Sequence, residues 1–133
     1  MRTVRVLGFG SILCGALIAT SAASAHHSFA MFDQEKTVTV SGTVKEMEWT
    51  NPHSWLRVML VNQASGKEEQ WGFEMGPPAQ QIRRGWEPDS FKPGDKVTLD
   101  MHPLKDGSRG GQLVNAILPN GQKVGGAGAP PIR

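Results

Sequence analysis

The sequence predicts an all-β fold with one short helix, a small five-stranded OB-like barrel. Three observations carry this. Apolar and polar residues alternate with period two in several short runs. One of those runs is apolar on both faces, which suits a curved sheet closed on itself. The elements come as three strands, a short helix and two more strands, the order of an OB-like barrel. An SH3-like or other small barrel is the alternative.

The first strand begins at Thr37-Val38-Thr39-Val40-Ser41-Gly42-Thr43-Val44, with Val38, Val40 and Val44 on one face. The alternation slips near Met47 and Trp49, predicting a bulge that coils the strand. Gly42 relieves crowding at a sharp bend. Asn51-Pro52 then breaks the run. A second strand over Ser54 to Asn62 points Leu56, Val58 and Leu60 inward, with Trp55, Met59 and Val61 on its other face. Gln63 to Lys67 is a turn. The third strand, Glu68 to Met75, aligns Glu69, Trp71, Phe73 and Met75.

Pro77 to Gly85 predicts the short helix. Proline favours its first turn, arginines suit its C-terminal end, and Gly85 can cap it. Lys92-Pro93-Gly94-Asp95 is a tight turn into a fourth strand, Lys96 to His102, with Val97, Leu99 and Met101 on one face. Lys105 to Gly111 is a hairpin connection. The fifth strand spans Gln112 to Leu118. From Gly125 the low-complexity run Gly-Gly-Ala-Gly-Ala-Pro-Pro predicts a disordered tail over 125–133.

Ahead of the barrel, Met1 to Ala25 read as a secretory signal peptide. Arg2 and Arg5 form its basic start, Val6 to Ala19 its apolar centre, and Ala23-Ser24-Ala25 its small-x-small cleavage site. Cleavage after Ala25 leaves 108 residues, an N-terminal segment over 26–36 and a barrel over 37–124. A chain of that size is one small domain that buries roughly 65% of its unfolded surface. The only cysteine, Cys14, leaves with the signal. Leu13 before it argues against lipid attachment. No later apolar run is long enough to span a bilayer. Loss of Arg2 and Arg5 leaves 12 basic against 12 acidic residues, a net charge of zero. That balance excludes the electrostatic footprint of a nucleic-acid binder.

The predicted cut makes His26 the first residue and His27 the second. A free α-amine beside an imidazole can chelate one metal ion. Cleavage one residue earlier places His27 third, a different copper-binding geometry. Both frames suit Cu(II), which favours nitrogen ligands in tetragonal arrangements. The remaining histidines border two loops, Trp49 to Trp55 and His102 to Gly107, which an OB-like barrel places on one side. His53 and His102 therefore have a route to each other, and residues 26–33 can fold back to the same rim. In a copper brace, His26 supplies the amine and a ring nitrogen, and His53 a third nitrogen. His27 and His102 are reserve ligands. Asn51 or a carboxylate would fix the second imidazole nitrogen. Trp49 and Trp55 are candidates to stack a ring-shaped small molecule.

The same residues have ordinary uses. Histidines at a chain terminus are usually solvated. Asn-Pro initiates a turn in which a following His can simply hydrogen-bond the loop. Tryptophans and methionines in so small a chain supply core area. Catalysis has little support: the acidic residues form no pair at a defined spacing. Ser28 and Ser54 lack a placed carboxylate for a triad. No phosphate loop or zinc-protease motif occurs.

The mature segment resembles a family of small exported Gram-negative bacterial proteins of unknown function. The resemblance rests on His26-His27-Ser28-Phe29 and Met31-Phe32-Asp33. It continues through Val40-Ser41-Gly42-Thr43-Val44, Trp49-Thr50-Asn51-Pro52-His53-Ser54-Trp55, Lys92-Pro93-Gly94-Asp95 and Pro103-Leu104-Lys105-Asp106-Gly107. It implies a periplasmic protein and supplies no activity or catalytic residue. The expectation is therefore a non-enzymatic binding module with copper as its ligand. A structural or interaction module for an envelope protein, or a small-molecule binder using the loop tryptophans, is the alternative. A copper redox enzyme remains open without a specified substrate.

Overall fold

The strand order in space is β3-β2-β1-β4-β5-β6, and β3 also pairs with β5 to close the barrel. The computed structural model describes residues 29–129. Within them lie β1 (Val38–Glu48), β2 (Trp55–Val61), β3 (Glu68–Glu74), α1 (Pro78–Arg83), β4 (Lys96–Pro103), β5 (Gly110–Ile117) and β6 (Lys123–Gly125). The β3–β5 contact is parallel and every other pairing antiparallel. The result is the expected five-stranded OB-like barrel with one added edge strand.

β1 serves two neighbours because it bends. Its first half pairs with β4 and its second with β2, and Thr43 pairs with both Lys96 and Met59. Gly42 stands at the changeover. A Cβ there would lie 2.4 Å from the Met59 carbonyl oxygen and 2.5 Å from Leu60 Cδ2. The bulge falls between Val44 and Glu46, slightly before the slip in the sequence pattern. Its extra residue reverses the phase of the strand, so Met47, and Trp49 beyond it, pack against the core although Val44 also does. Val38, on the same face as Val40 and Val44, is exposed at the start of β1.

The interior is filled as the alternation requires. Leu56, Val58 and Leu60 from β2 meet Phe73 from β3, Val97, Leu99 and Met101 from β4, and Leu113 and Ala116 from β5. α1 is shorter than expected but ends as its residues dictate. The Gly85 amide donates to the Ile82 carbonyl and the Trp86 amide to that of Gln81. Gly85 has φ +93°, completing a left-handed C-terminal cap. The chain then delivers Trp86 and Phe91 into the core, with ring centroids 6.0 Å apart. At Lys92-Pro93-Gly94-Asp95 the tight turn docks on the β1 bulge through Gly94 N–H to Val44 O and Val44 N–H to Asp95 O, both 2.8 Å.

The glycine-rich run departs from expectation over 125–129. β6 pairs with β5, and Gly126 and Gly128 donate to the carbonyls of Val114 and Leu113 at 2.8 Å. The composition that reads as low-complexity permits close packing. A Cβ on Gly126 would sit 2.4 Å from the Leu113 carbonyl oxygen. Val124 is buried, and Gly125 O accepts the Trp86 indole N–H at 2.8 Å.

Candidate functional site

One row of residues runs around a single rim of the barrel. Trp55 pairs with Glu74, Glu74 with Gln112, and Gln112 with His102. Their neighbours Leu56, Phe73, Leu113 and Met101 fill the interior, so this row faces outward. The β3–β5 closure thereby puts the β1–β2 loop and the β4–β5 loop at the same end of the molecule, as the OB-like reading expects.

Outward-facing residues should be wet, yet Glu74, Gln112 and His102 are buried. Ser54 and Gln81 complete the buried polar residues among those described. Ser54 donates its amide to Gly76 O and accepts from the Met75 amide, tying the β1–β2 loop to the end of β3. Gln81 reaches the same stretch from α1, its Nε2 lying 2.9 Å from where a Cβ on Gly76 would sit. The buried polar residues among those described are thus gathered beside one rim. Such groups cost stability unless they are hydrogen-bonded. Both amide atoms of Gln81, and Nε2 of Gln112, have no partner among the described residues.

His53 meets this row directly. Its Nδ1 pairs with Glu74 Oε1; the imidazole is 34% exposed and the carboxylate only 7%. A carboxylate accepts, so Nδ1 carries a proton toward it. Nε2 of the neutral ring is then the atom with a free lone pair. A carboxylate behind one imidazole nitrogen is the usual support for a histidine that ligates metal through the other. Of the two supports considered from the sequence, Asn51 and a carboxylate, it is the carboxylate that touches His53; Asn51 is exposed in the loop. Thr50 Oγ1 donates to the His53 carbonyl at 2.8 Å, and the Asn51-Pro52 peptide is cis.

His102 occupies a different setting. Its Nδ1–H donates to Lys36 O at 2.6 Å, and the side chain is buried. Gln112 stands between it and Glu74, so the two outer backbones are two strand spacings apart, about 10 Å. His53 and His102 therefore share the rim without forming a cluster. Among the described residues no group of three or more His, Cys, Asp or Glu could hold a metal ion. His26 and His27 lie outside the described residues.

The segment 29–36 lies along the β4–β5 hairpin. Phe32 forms a bridge with Leu104 and is buried. Asp33 N–H donates to Pro103 O at 2.8 Å and Lys105 N–H to Met31 O at 3.0 Å. Lys105 Nζ donates to Ala30 O, and Gln34 Nε2 to Gln112 Oε1, both at 2.8 Å.

The tryptophans divide. Trp86 is core, while Trp49 and Trp71 pack against it from partly buried positions. Trp71 stacks on Phe73 with centroids 6.4 Å apart. Trp55 is half-buried and carries the Arg57 guanidinium 4.7 Å above its ring. Arg57 is in turn held by both carboxylate oxygens of Glu48 at 2.8 and 3.3 Å. One face of Trp55 is therefore already covered.

Sequence reasoning missed Glu74 and Gln112 as site residues. The signal for Glu74 was its place between Phe73 and Met75, two core residues at a strand end beside Gly76-Pro77-Pro78. Gln112, between two glycines and Leu113-Val114, carried a similar one.

A family model of unknown function, DUF6152, matches residues 15–114. The chain belongs to the DUF6152 family. The DUF6152 match takes in His26, His27, His53, Glu74, His102 and Gln112, and stops before β6. No curated protein and no solved structure matches the chain. Among the described residues of this DUF6152 member, no helix is long and apolar enough to cross a membrane.

Proposed function

We propose that this protein is an exported, periplasmic binding module that holds copper at the rim, using the mature N-terminus and His53. The observation that carries the reading is the Glu74 carboxylate behind Nδ1 of the partly exposed His53 ring, which leaves Nε2 as the nitrogen available to a metal. The proposal adds the amine and ring nitrogen of His26, giving three nitrogens, a set suited to Cu(II). His27 is the reserve ligand. His102, the other reserve, has Nδ1 engaged by Lys36 and is buried.

Attachment of residues 29–36 to the β4–β5 hairpin supports the reading. His26 precedes Phe29 by three residues, a link that spans at most about 11 Å. For His26 to join His53, that short link would have to carry it from the β4–β5 hairpin to the rim.

The test is a Cu(II) titration of three proteins: one beginning at His26, one with a single extra residue before His26, and His53→Ala. The reading expects tight binding by the first and at least tenfold weaker binding by the other two. Equal affinity in all three overturns it. In that case, capture of an envelope partner, or quenching of tryptophan fluorescence by a small molecule, becomes the experiment for the alternative readings.

A further inference from the structure

His102 is a buried histidine on the outer face of its strand, where neither catalysis nor core packing calls for one. Its Nδ1–H donates to the carbonyl of Lys36 at 2.6 Å. Beside it, fully buried Gln112 offers Oε1 to Gln34 Nε2. Gly128 closes the other side, since a Cβ there would lie 3.0 Å from His102 Cδ2 and 3.2 Å from Gln112 Oε1. The imidazole and the carboxamide thus grip two points of the segment 29–36, at Lys36 and Gln34. Phe32 against Leu104 fastens the preceding turn.

We infer that His102 is a positioning residue: it latches segment 29–36 onto the β4–β5 hairpin and so tethers the mature terminus at the rim that carries His53. The latch stands on the segment's contacts with His102, Gln112 and the β4–β5 hairpin; its service to the terminus rests on the copper reading. Alanine at 102 leaves the Lys36 carbonyl without its buried donor. Asparagine can place a side-chain N–H close to where Nδ1–H was, but it supplies no imidazole nitrogen to a metal. The two substitutions therefore separate a latch from a ligand.

Amide hydrogen exchange reads the latch without copper. The informative amides are Asp33 and Lys36 in the segment and Lys105 on the hairpin, each bonded to a backbone carbonyl. In His102→Ala these three should exchange roughly tenfold faster, the effect of losing one net hydrogen bond. Amides between β1 and β2 should keep their rates, which shows that the barrel remains folded. His102→Asn should restore protection. Gln34→Ala, at an exposed position outside the barrel, should speed exchange in the same segment. Unchanged rates in His102→Ala, or equal rates in the alanine and asparagine variants, overturn the latch. With Cu(II) added, the alanine variant should bind more weakly with the same nitrogen couplings in its EPR spectrum, and asparagine should bind as wild type. Loss of a nitrogen coupling in both variants would make His102 a ligand and overturn the inference. Failure of the wild-type protein to bind Cu(II) would sink the copper reading, while the exchange rates would still decide the latch.

Discussion

His53 depends on a residue that lies 21 positions away in the chain. Glu74 is held at the end of β3 by the pairing with Trp55, and it orients the imidazole through Nδ1. Replacing Glu74 by Gln keeps the shape but removes the charge and the obligatory acceptor. Loss of such an outer partner typically weakens a metal site by about 10- to 100-fold. Glu74→Gln should therefore lower Cu(II) affinity by that factor, measured by competition with a chelator of known affinity. His53 was legible as a candidate because Asn-Pro-His marks a loop beside a strand. Glu74 was not, because its place between Phe73 and Met75 hints at burial but does not name His53 as its partner until the register shows what stands opposite it.

The strands obey their alternation, and the departures have local causes. Period two named the inward residues of β2 and β4, since burial of one face fixes register. Val38 shares a face with Val40 and Val44 but, at the start of β1, lies exposed beyond the core. Gly42 was legible as a crowded bend, and the distances say how crowded. Gly42→Ala must push Cβ into the Met59 carbonyl and the Leu60 side chain. Overpacking of this kind costs about 1–3 kcal/mol, and urea unfolding should show a lower midpoint with an unchanged slope. β6 was not legible. Three residues are too few to show a period, and the glycines that end and follow it read as disorder although Gly126 and Gly128 donate to β5. The contacts of segment 29–36 were hidden for another reason: they join residues about 70 positions apart, and several end on backbone carbonyls, which leave no trace in side-chain pattern.

At the scale of the molecule, closure of the barrel by β3 and β5 decides where the polar residues collect. The parallel contact joins Glu74 to Gln112, and so links the loop that bears His53 to the hairpin that bears His102. No short sequence window contains that contact, which explains why the class of fold was readable and the buried polar row was not. The core spans the barrel and the capping segment after α1 alike. Trp86 is nearly fully buried among β-strand residues, and its indole N–H also holds Gly125. Trp86→Ala should lower stability by about 3–5 kcal/mol. Far-UV circular dichroism and intrinsic fluorescence should report one shared transition, since barrel and cap form a single cooperative unit. Two separated transitions would show that the cap folds apart from the barrel.

The most direct measurement is the EPR spectrum of a one-to-one Cu(II) complex of the protein beginning at His26, beside that of His53→Ala. The account predicts an axial spectrum coupled to three nitrogens in the first and the loss of one coupling in the second. Identical spectra from the two proteins would contradict it.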